Sequence, residues 1–322
     1  MNEFALIDRY FRRAARDPAV RTGIGDDGAV VAPAPGCDLV FSVDMLVEGR
    51  HFLSDVDPAA LGHKTLAVNL SDMAAMGAKP RWALLAGALP DFDERWLDGF
   101  TRGLFALADR FDVALIGGDT TRGPRNLCLT IIGEVPTGMA LTRAGACVAD
   151  DIYVSGMLGD AALALSVLQG RATLGERDLA IARARLETPE PRVLLGLRLR
   201  EVASAAIDIS DGLTGDLQHI LDRSGVAAVI DVALIPCSPP VATMLGGDAR
   251  NHALACLLAG GDDYELCFTA AATSREAIAA IARDVDVPLT RIGTVIAGTG
   301  LTVRDEQGAP LVALPRSFDH FA

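Results

Sequence analysis

The chain has 322 residues, 50% of them hydrophobic, 22% charged and only 5% aromatic; about twice a usual domain in length, it predicts two globular domains with aliphatic, alanine-rich cores and excludes disorder. The net charge of −13 comes without the lysine and arginine stripes that meet a phosphate backbone, which excludes a nucleic-acid surface. Six cysteines without a C-x-x-C pair and five histidines without an H-E-x-x-H carry no zinc or disulfide signature; an N-terminus acidic from the start, and no apolar run near about eighteen residues, predict a cytoplasmic protein without a membrane span.

In chain order, Leu39–Asp44 reads as a strand whose alternation puts Val40, Ser42 and Asp44 on one face. Asp57-Pro58 reads as an N-cap with proline at the first helical position, opening a helix that runs to about Gly77 and is apolar nearly all round, with Pro80 beyond as a stop. A second helix is predicted over Glu94–Arg110, then a strand from Val113 into Gly117-Gly118-Asp119, a turn at 122–126 and an antiparallel return strand over Leu127–Val135. A polar connector at 141–151 marks the domain boundary, placed between residues 147 and 148. Beyond it the pattern predicts a strand at 152–155, a helix over Asp160–Leu168 and a surface helix and loop at 171–192. Next come a strand at 205–209, a helix from Leu213, and strands at 228–232, 265–269 and 290–296. The fold class is therefore an α+β N-terminal domain, residues 1–147, followed by an α/β C-terminal domain, residues 148–322.

Asp72 is the most telling single residue, because a carboxylate inside an apolar helix must be desolvated and then needs a cation, either a metal or a basic side chain such as Lys64. Asp208 and Asp211 bracket a strand end and a helix start, where ligands are bound in open sheets and where an ordinary N-cap also sits. The loops Gly23–Gly28, Gly117–Asp119 and Gly260–Asp263 join flexible backbone to carboxylate, which suits phosphate and hard metals but also describes a tight turn. Should Asp27, Asp44, Asp72, Asp119 and Asp208 converge, divalent ions must hold them, since two like charges at about 4 Å repel by about 4 kcal/mol even at an effective dielectric near 20. A P-loop and the protein-kinase signatures are both absent.

The ordered set GIGDDGAV (23–30), SVDMLVEGRHF (42–52), KTLAVNLSDMAAMGA (64–78), LIGGDTTRGP (115–124), ALTRAGA (140–146), IDISDGL (207–213), GGDDYELCF (260–268) and FDHF (318–321) closely resembles the thiamine-monophosphate kinase family, within the aminoimidazole ribonucleotide synthetase-like ATP-binding superfamily. The resemblance implies ATP-dependent phosphorylation of thiamine monophosphate by a homodimer. Its N-terminal sheets would pair where ATP and magnesium bind, and the C-terminal domain would complete each site. Carried over by position, it implies magnesium at Asp27, Ser42, Val43 (through its carbonyl), Asp44, Asp72, Asp119, Asp208 and Asp211, with K+ as a further candidate ion. It implies ATP at Gly117, Gly118, Asp119, Arg143 and Ser210, and the thiamine phosphate at His51, Asp262 and Phe318. Val43, Asp262 and Phe318 stand where the family commonly has threonine, glutamate and tyrosine. A magnesium-dependent phosphohydrolase, another ATP-dependent synthetase of the superfamily and a non-catalytic nucleotide sensor are the alternatives.

Overall fold

The computed structural model describes residues 3–13 and 17–317. They fall into two units, one running to Met73 and continuing over Ala78–Gly138, the other comprising Ala74–Gly77 and the residues from Met139 on. No helix among the described residues is long and apolar enough to cross a membrane.

The first unit opens with a short α1 (Glu3–Leu6) and a two-stranded ribbon of β1 (Val20–Thr22) and β2 (Val30–Val31). There follow β3 (Cys37–Val47), α2 (Pro58–Ala75), β4 (Lys79–Leu89), α3 (Glu94–Arg110), β5 (Ala114–Arg122) and β6 (Asn126–Pro136). Both long helices begin on aspartate caps. Asp57 accepts the N–H groups of Ala59 and Ala60 at 2.9 and 3.0 Å, and Asp93 those of Arg95 and Trp96 at 2.9 and 3.1 Å. The apolar circumference read from the sequence of α2 reflects burial on almost every side, including Leu61, Leu66, Ala67, Val68, Leu70 and Met73.

The four long strands form one sheet in the order β3-β6-β4-β5. The return strand β6 does run opposite to β5, but it does not lie beside it: β4 is inserted between them, parallel to β5 and antiparallel to β6. Residues 123–125 span two strand spacings, roughly 10 Å, which the four peptide links from Arg122 to Asn126 can cover. Strand β4 escaped the sequence reading because Trp82–Leu89 is almost uniformly apolar, without the alternation that announces a half-exposed strand.

In the second unit the elements are β7 (Asp151–Ser155), α4 (Asp160–Leu168), α5 (Glu176–Glu187), α6 (Val193–Leu199), β8 (Ala205–Asp208), α7 (Leu213–Ser224) and β9 (Ala227–Asp231). They continue with α8 (Pro239–Leu245), α9 (Arg250–Ala259), β10 (Leu266–Ala270), α10 (Arg275–Val285), β11 (Leu289–Ile296) and β12 (Gly300–Arg304). The six strands are ordered β12-β9-β11-β7-β10-β8, antiparallel except for β12 against β9. One core unites Ile152 and Val154 of β7, Ile207 of β8, Leu213, Leu217, Ile220 and Leu221 of α7 and Ile292 of β11. That core fixes the strand end at Asp208 and the start of α7.

Helices α2 and α3 approach each other through glycine. A Cβ placed on Gly62 would lie 2.0 Å from the Phe100 carbonyl oxygen, and one on Gly103 would lie 1.9 Å from that of Ala59. Gly103→Ala gains about 1 kcal/mol of helix propensity, yet the methyl group must push the two backbones apart, and overpacking costs about 1–3 kcal/mol or more. Because 1.9 Å from a backbone oxygen is far inside contact distance, the cost falls at the upper end of that range and a net loss of about 2 kcal/mol is expected in urea denaturation; unchanged or raised stability would show that the helices separate freely.

Candidate active site

The pleat of β3 sorts its residues. Val40, Ser42, Asp44 and Leu46 are at least partly buried, whereas Leu39, Phe41, Val43 and Met45 are 37%, 62%, 58% and 51% exposed. On the buried face the Ser42 hydroxyl donates to Asp72 Oδ2 of α2 at 2.5 Å, and Asp44 follows on the same face one pleat along. Val43 turns its side chain the other way, which leaves its carbonyl as the oxygen it could offer. His51 lies in the turn after β3, where its Nδ1 accepts the Val47 N–H at 3.0 Å. The Nε2 of neutral His51 therefore carries the proton and is a donor. Lys64, buried in α2, donates to the His51 carbonyl at 3.5 Å.

Gly117, Gly118 and Asp119 lie within β5, an edge strand of the sheet. Opposite β4 the register slips, Ala83 facing Leu115 and Leu84 facing Gly117, so Ile116 is the extra residue of a bulge. Gly118, at φ 149°, passes so close to β4 that a Cβ would sit 1.9 Å from the Leu85 carbonyl oxygen; its lack of a side chain is required by the sheet itself. Across the ladder, Asp44 pairs with Leu129, Leu129 with Leu85 and Leu85 with Gly118, whereas Asp119 belongs to the next row, with Ala86, Cys128 and Met45. Within one chain, Asp44 and Asp119 are thus three strand spacings apart, roughly 14 Å, and point to opposite faces of the sheet. Asp27 is exposed in the loop after β1, its N–H bonded to Asp26 at 2.9 Å.

In the second unit Asp208 is buried at the end of β8, opposite Leu266. The turn after it is organised by a residue that sequence reading passed over. Asp216 Oδ2 accepts the N–H groups of Ser210, Asp211 and Gly212, each at 3.1 Å. Burial pushes the Asp216 carboxyl up to about 7, with the Asp211 charge adding to the rise and the three N–H donors opposing it. The legible signal was an acid inside the first turn of a helix, from which a side chain reaches back to unsatisfied amides. The Ser210 carbonyl in turn accepts the Asp262 N–H at 2.9 Å, joining a proposed nucleotide residue to a proposed acceptor residue. Arg143 is exposed. Phe318 lies outside the described residues.

The donor set is entirely oxygen, which suits a hard cation such as Mg2+. Among the described residues no three His, Cys, Asp or Glu side chains gather into a metal cage within the chain. Mg2+ is commonly held by one or two carboxylates with substrate phosphates and water filling the rest of its shell, and the Ser42, Asp44 and Asp72 face offers that many.

Residues 25–135 match the family model for AIR synthase related protein, N-terminal domain, and residues 150–306 match that for the C-terminal domain. The chain belongs to the AIR synthase related family. It is 48% identical over 324 residues to the thiamine-monophosphate kinase of Salmonella typhimurium, covering 99% of this chain and 98% of the relative. The crystal structure of thiamine-monophosphate kinase from Stenotrophomonas maltophilia K279a is 50% identical with a TM-score of 0.86, covering 94% of this chain and 96% of that one. AaThiL complexed with AMPPCP and TMP is 28% identical with a TM-score of 0.77, covering 90% and 89%. Within the family, the chain is a member of the thiamine-monophosphate kinases.

Asp216→Ala removes the acceptor of three amide groups at once. A stability loss of about 2–4 kcal/mol is expected in chemical denaturation, while Asp216→Asn, which keeps one acceptor oxygen, loses about 1 kcal/mol. Equal and small losses in both variants would show that the turn holds without this carboxyl.

Proposed function

We propose that the chain transfers the γ-phosphoryl group of ATP directly to thiamine monophosphate, yielding thiamine diphosphate and ADP, at a site shared by two copies in a homodimer. Full-length similarity to thiamine-monophosphate kinases and the nucleotide-analogue complex of a relative support the reaction and both substrates. The observation that carries the shared site is the placement of Asp44 and Asp72 on one face and of Asp119 on the other. If these carboxylates serve one reaction, Asp119 comes from a second chain.

A surface for that second chain exists. β3 and β5 are both edges of the sheet, and Leu39, Phe41, Val43 and Met45 form an exposed apolar row along β3. Monomeric proteins seldom leave such an edge uncovered. A second copy packed along the β3 edge would cover the row, and the shared site further requires its β5, with Gly117, Gly118 and Asp119, to reach past that edge to the Asp44 and Asp72 face of the first.

The acceptor atom is a phosphate oxygen, already largely ionised at neutral pH because its second pKa is near 6. No side chain is needed as general base, and no phosphoenzyme is formed; the task of the protein is to align two anions in line. Asp27, Ser42, Asp44, Asp72, Asp119, Asp208, Asp211 and the Val43 carbonyl would hold Mg2+, and K+ is a further candidate ion. Bound Mg2+ supplies charge neutralisation between the nucleotide phosphates and the acceptor. Ser42 fixes the Asp72 carboxylate through their hydrogen bond. Gly117, Gly118, Arg143 and Ser210 would contact the nucleotide, with the Arg143 guanidinium meeting phosphate oxygens. His51, through its Nε2–H, and Asp262 would orient thiamine monophosphate, together with Phe318. We place the domain boundary between residues 147 and 148, inside the gap separating the two family-model matches, and the enzyme in the cytoplasm.

The reaction is tested by following ADP and thiamine diphosphate together. They should appear in equal amounts with thiamine monophosphate and not with free thiamine; ADP without thiamine diphosphate would make the chain a phosphohydrolase. Asp72→Asn and Asp119→Asn should each be folded and inactive. Mixing the two variants by co-refolding should restore about a quarter of the wild-type rate, since half of the dimers would be mixed and each would hold one intact site of two. A mixture as inactive as its components would put every catalytic group in one chain and overturn the shared site.

A further inference from the structure

The loop Gly260–Glu265 has an unusual backbone. Asp262 and Tyr264 both lie at positive φ, 70° and 49°, a region that residues with a Cβ seldom occupy and that persists only where surrounding contacts enforce it. Two of those contacts are backbone bonds to one segment: the Asp262 N–H donates to the Ser210 carbonyl at 2.9 Å and the Tyr264 N–H to the Ile209 carbonyl at 2.8 Å. The third belongs to the residue between them. Asp263 is turned inward, where both its carboxyl oxygens accept the N–H of Gly159 at 3.0 Å. Gly159 is the residue before α4 and lies at φ 90°. A Cβ there would come within 3.3 Å of the backbone of Cys256 and Leu257, so Gly159 packs closely against α9. Burial keeps the Asp263 carboxyl well above the ordinary carboxylate range. The carboxyl thus ties the middle of the loop to the start of α4, while its neighbours are tied to the strand end at 209–210.

We propose that Asp263 is a positioning residue for the acceptor: by anchoring to Gly159 it holds Asp262 and Tyr264 in their left-handed conformations and so aims the Asp262 side chain at thiamine monophosphate. The inference rests on the reading that Asp262 contacts the acceptor. Asp263 itself touches no substrate. Its removal releases the loop toward ordinary backbone angles, moves the Asp262 carboxylate away from its bound position and weakens acceptor binding. The nucleotide is affected far less: Ser210 shares one backbone bond with Asp262, but its own N–H stays held by Asp216, and the other nucleotide groups lie outside this loop.

The experiment measures KM for thiamine monophosphate and for ATP, with kcat, in the full-length enzyme carrying Asp263→Ala, Asp263→Asn and Asp262→Ala. Asp263→Ala is expected to raise the acceptor KM about tenfold while the ATP KM stays within about threefold. Asp263→Asn retains an oxygen that can accept the Gly159 N–H, so it should restore the acceptor KM to within about threefold of wild type. If Asp263→Ala does not fold, Asp263→Ser, too short to reach Gly159, takes its place with the same expectation. A rise in both KM values together, or an acceptor KM unchanged within about twofold, overturns the proposal. The control separates the two layers. An Asp262→Ala enzyme with normal acceptor KM overturns the reading on which the proposal rests, whereas a raised KM in Asp262→Ala beside a normal one in Asp263→Ala overturns the positioning role alone.

Discussion

The alternation of side chains along a pleated strand is the constraint on which the first unit depends. A residue in β3 faces either α2 or the open side of the sheet, and neighbours across the ladder inherit that choice. Ser42 and Asp44 therefore lie with Asp72, while Val43 and Met45 share a side with Asp119. The bulge at Ile116 preserves this outcome in a particular way. It adds one residue to β5 beyond Leu115, and without that addition Asp119 would point to the other face. Gly118, two residues on from Ile116, lets the shifted strand stay close to the β4 backbone.

The second unit works by a different device, buried carboxyls that organise backbone instead of pairing with bases. Asp216 gathers three amides of the turn after Asp208, and Asp263 gathers one at the head of α4. Each is costly to bury, and each repays that cost by leaving amide groups satisfied that would otherwise be stranded. Beside them, Glu265 takes the more familiar course: it forms a bidentate ion pair with Arg192 and accepts the Ser155 hydroxyl. The loop bearing Asp262 and the turn bearing Ser210 are consequently parts of one bonded assembly in the unit.

How much of this was legible followed the strength of the local signal. Helices α3 and α4 were read to the residue, because Asp93 and Gly159 mark their starts and the apolar pattern does the rest. Ser42 and Asp44 were assigned to one face by counting in twos. Strand β4 was lost because it is buried and so does not alternate, and α9 was lost because its apolar residues follow no helical period; α10, by contrast, carries Ile278, Ile281 and Val285 at helical spacing, a signal the sequence does hold. The aspartates were recognisable as unusual, yet their distribution over two faces of one sheet depends on strand order. Strand order is set by which edge β4 joins, a long-range choice invisible in any window of sequence. The role of Asp263 is hidden for a similar reason, since an acid in a loop looks the same whether it faces water or folds back on an amide, whereas Asp216 is marked only by its place in the first turn of α7.

The row of Leu39, Phe41, Val43 and Met45 has a bearing on how the chain survives its own synthesis. An edge strand with a free hydrogen-bonding side and an apolar face is also a template for adventitious strand addition. In the homodimer proposed above, the newly folded chain would be in a race between orderly pairing with its own kind and disordered stacking. Asp38 and Asp44, alternating with the apolar residues, add charge that slows the second course without closing the first. On that reading, yield of the native enzyme would be governed by an encounter, and slow or sparse synthesis would leave this edge open for longer.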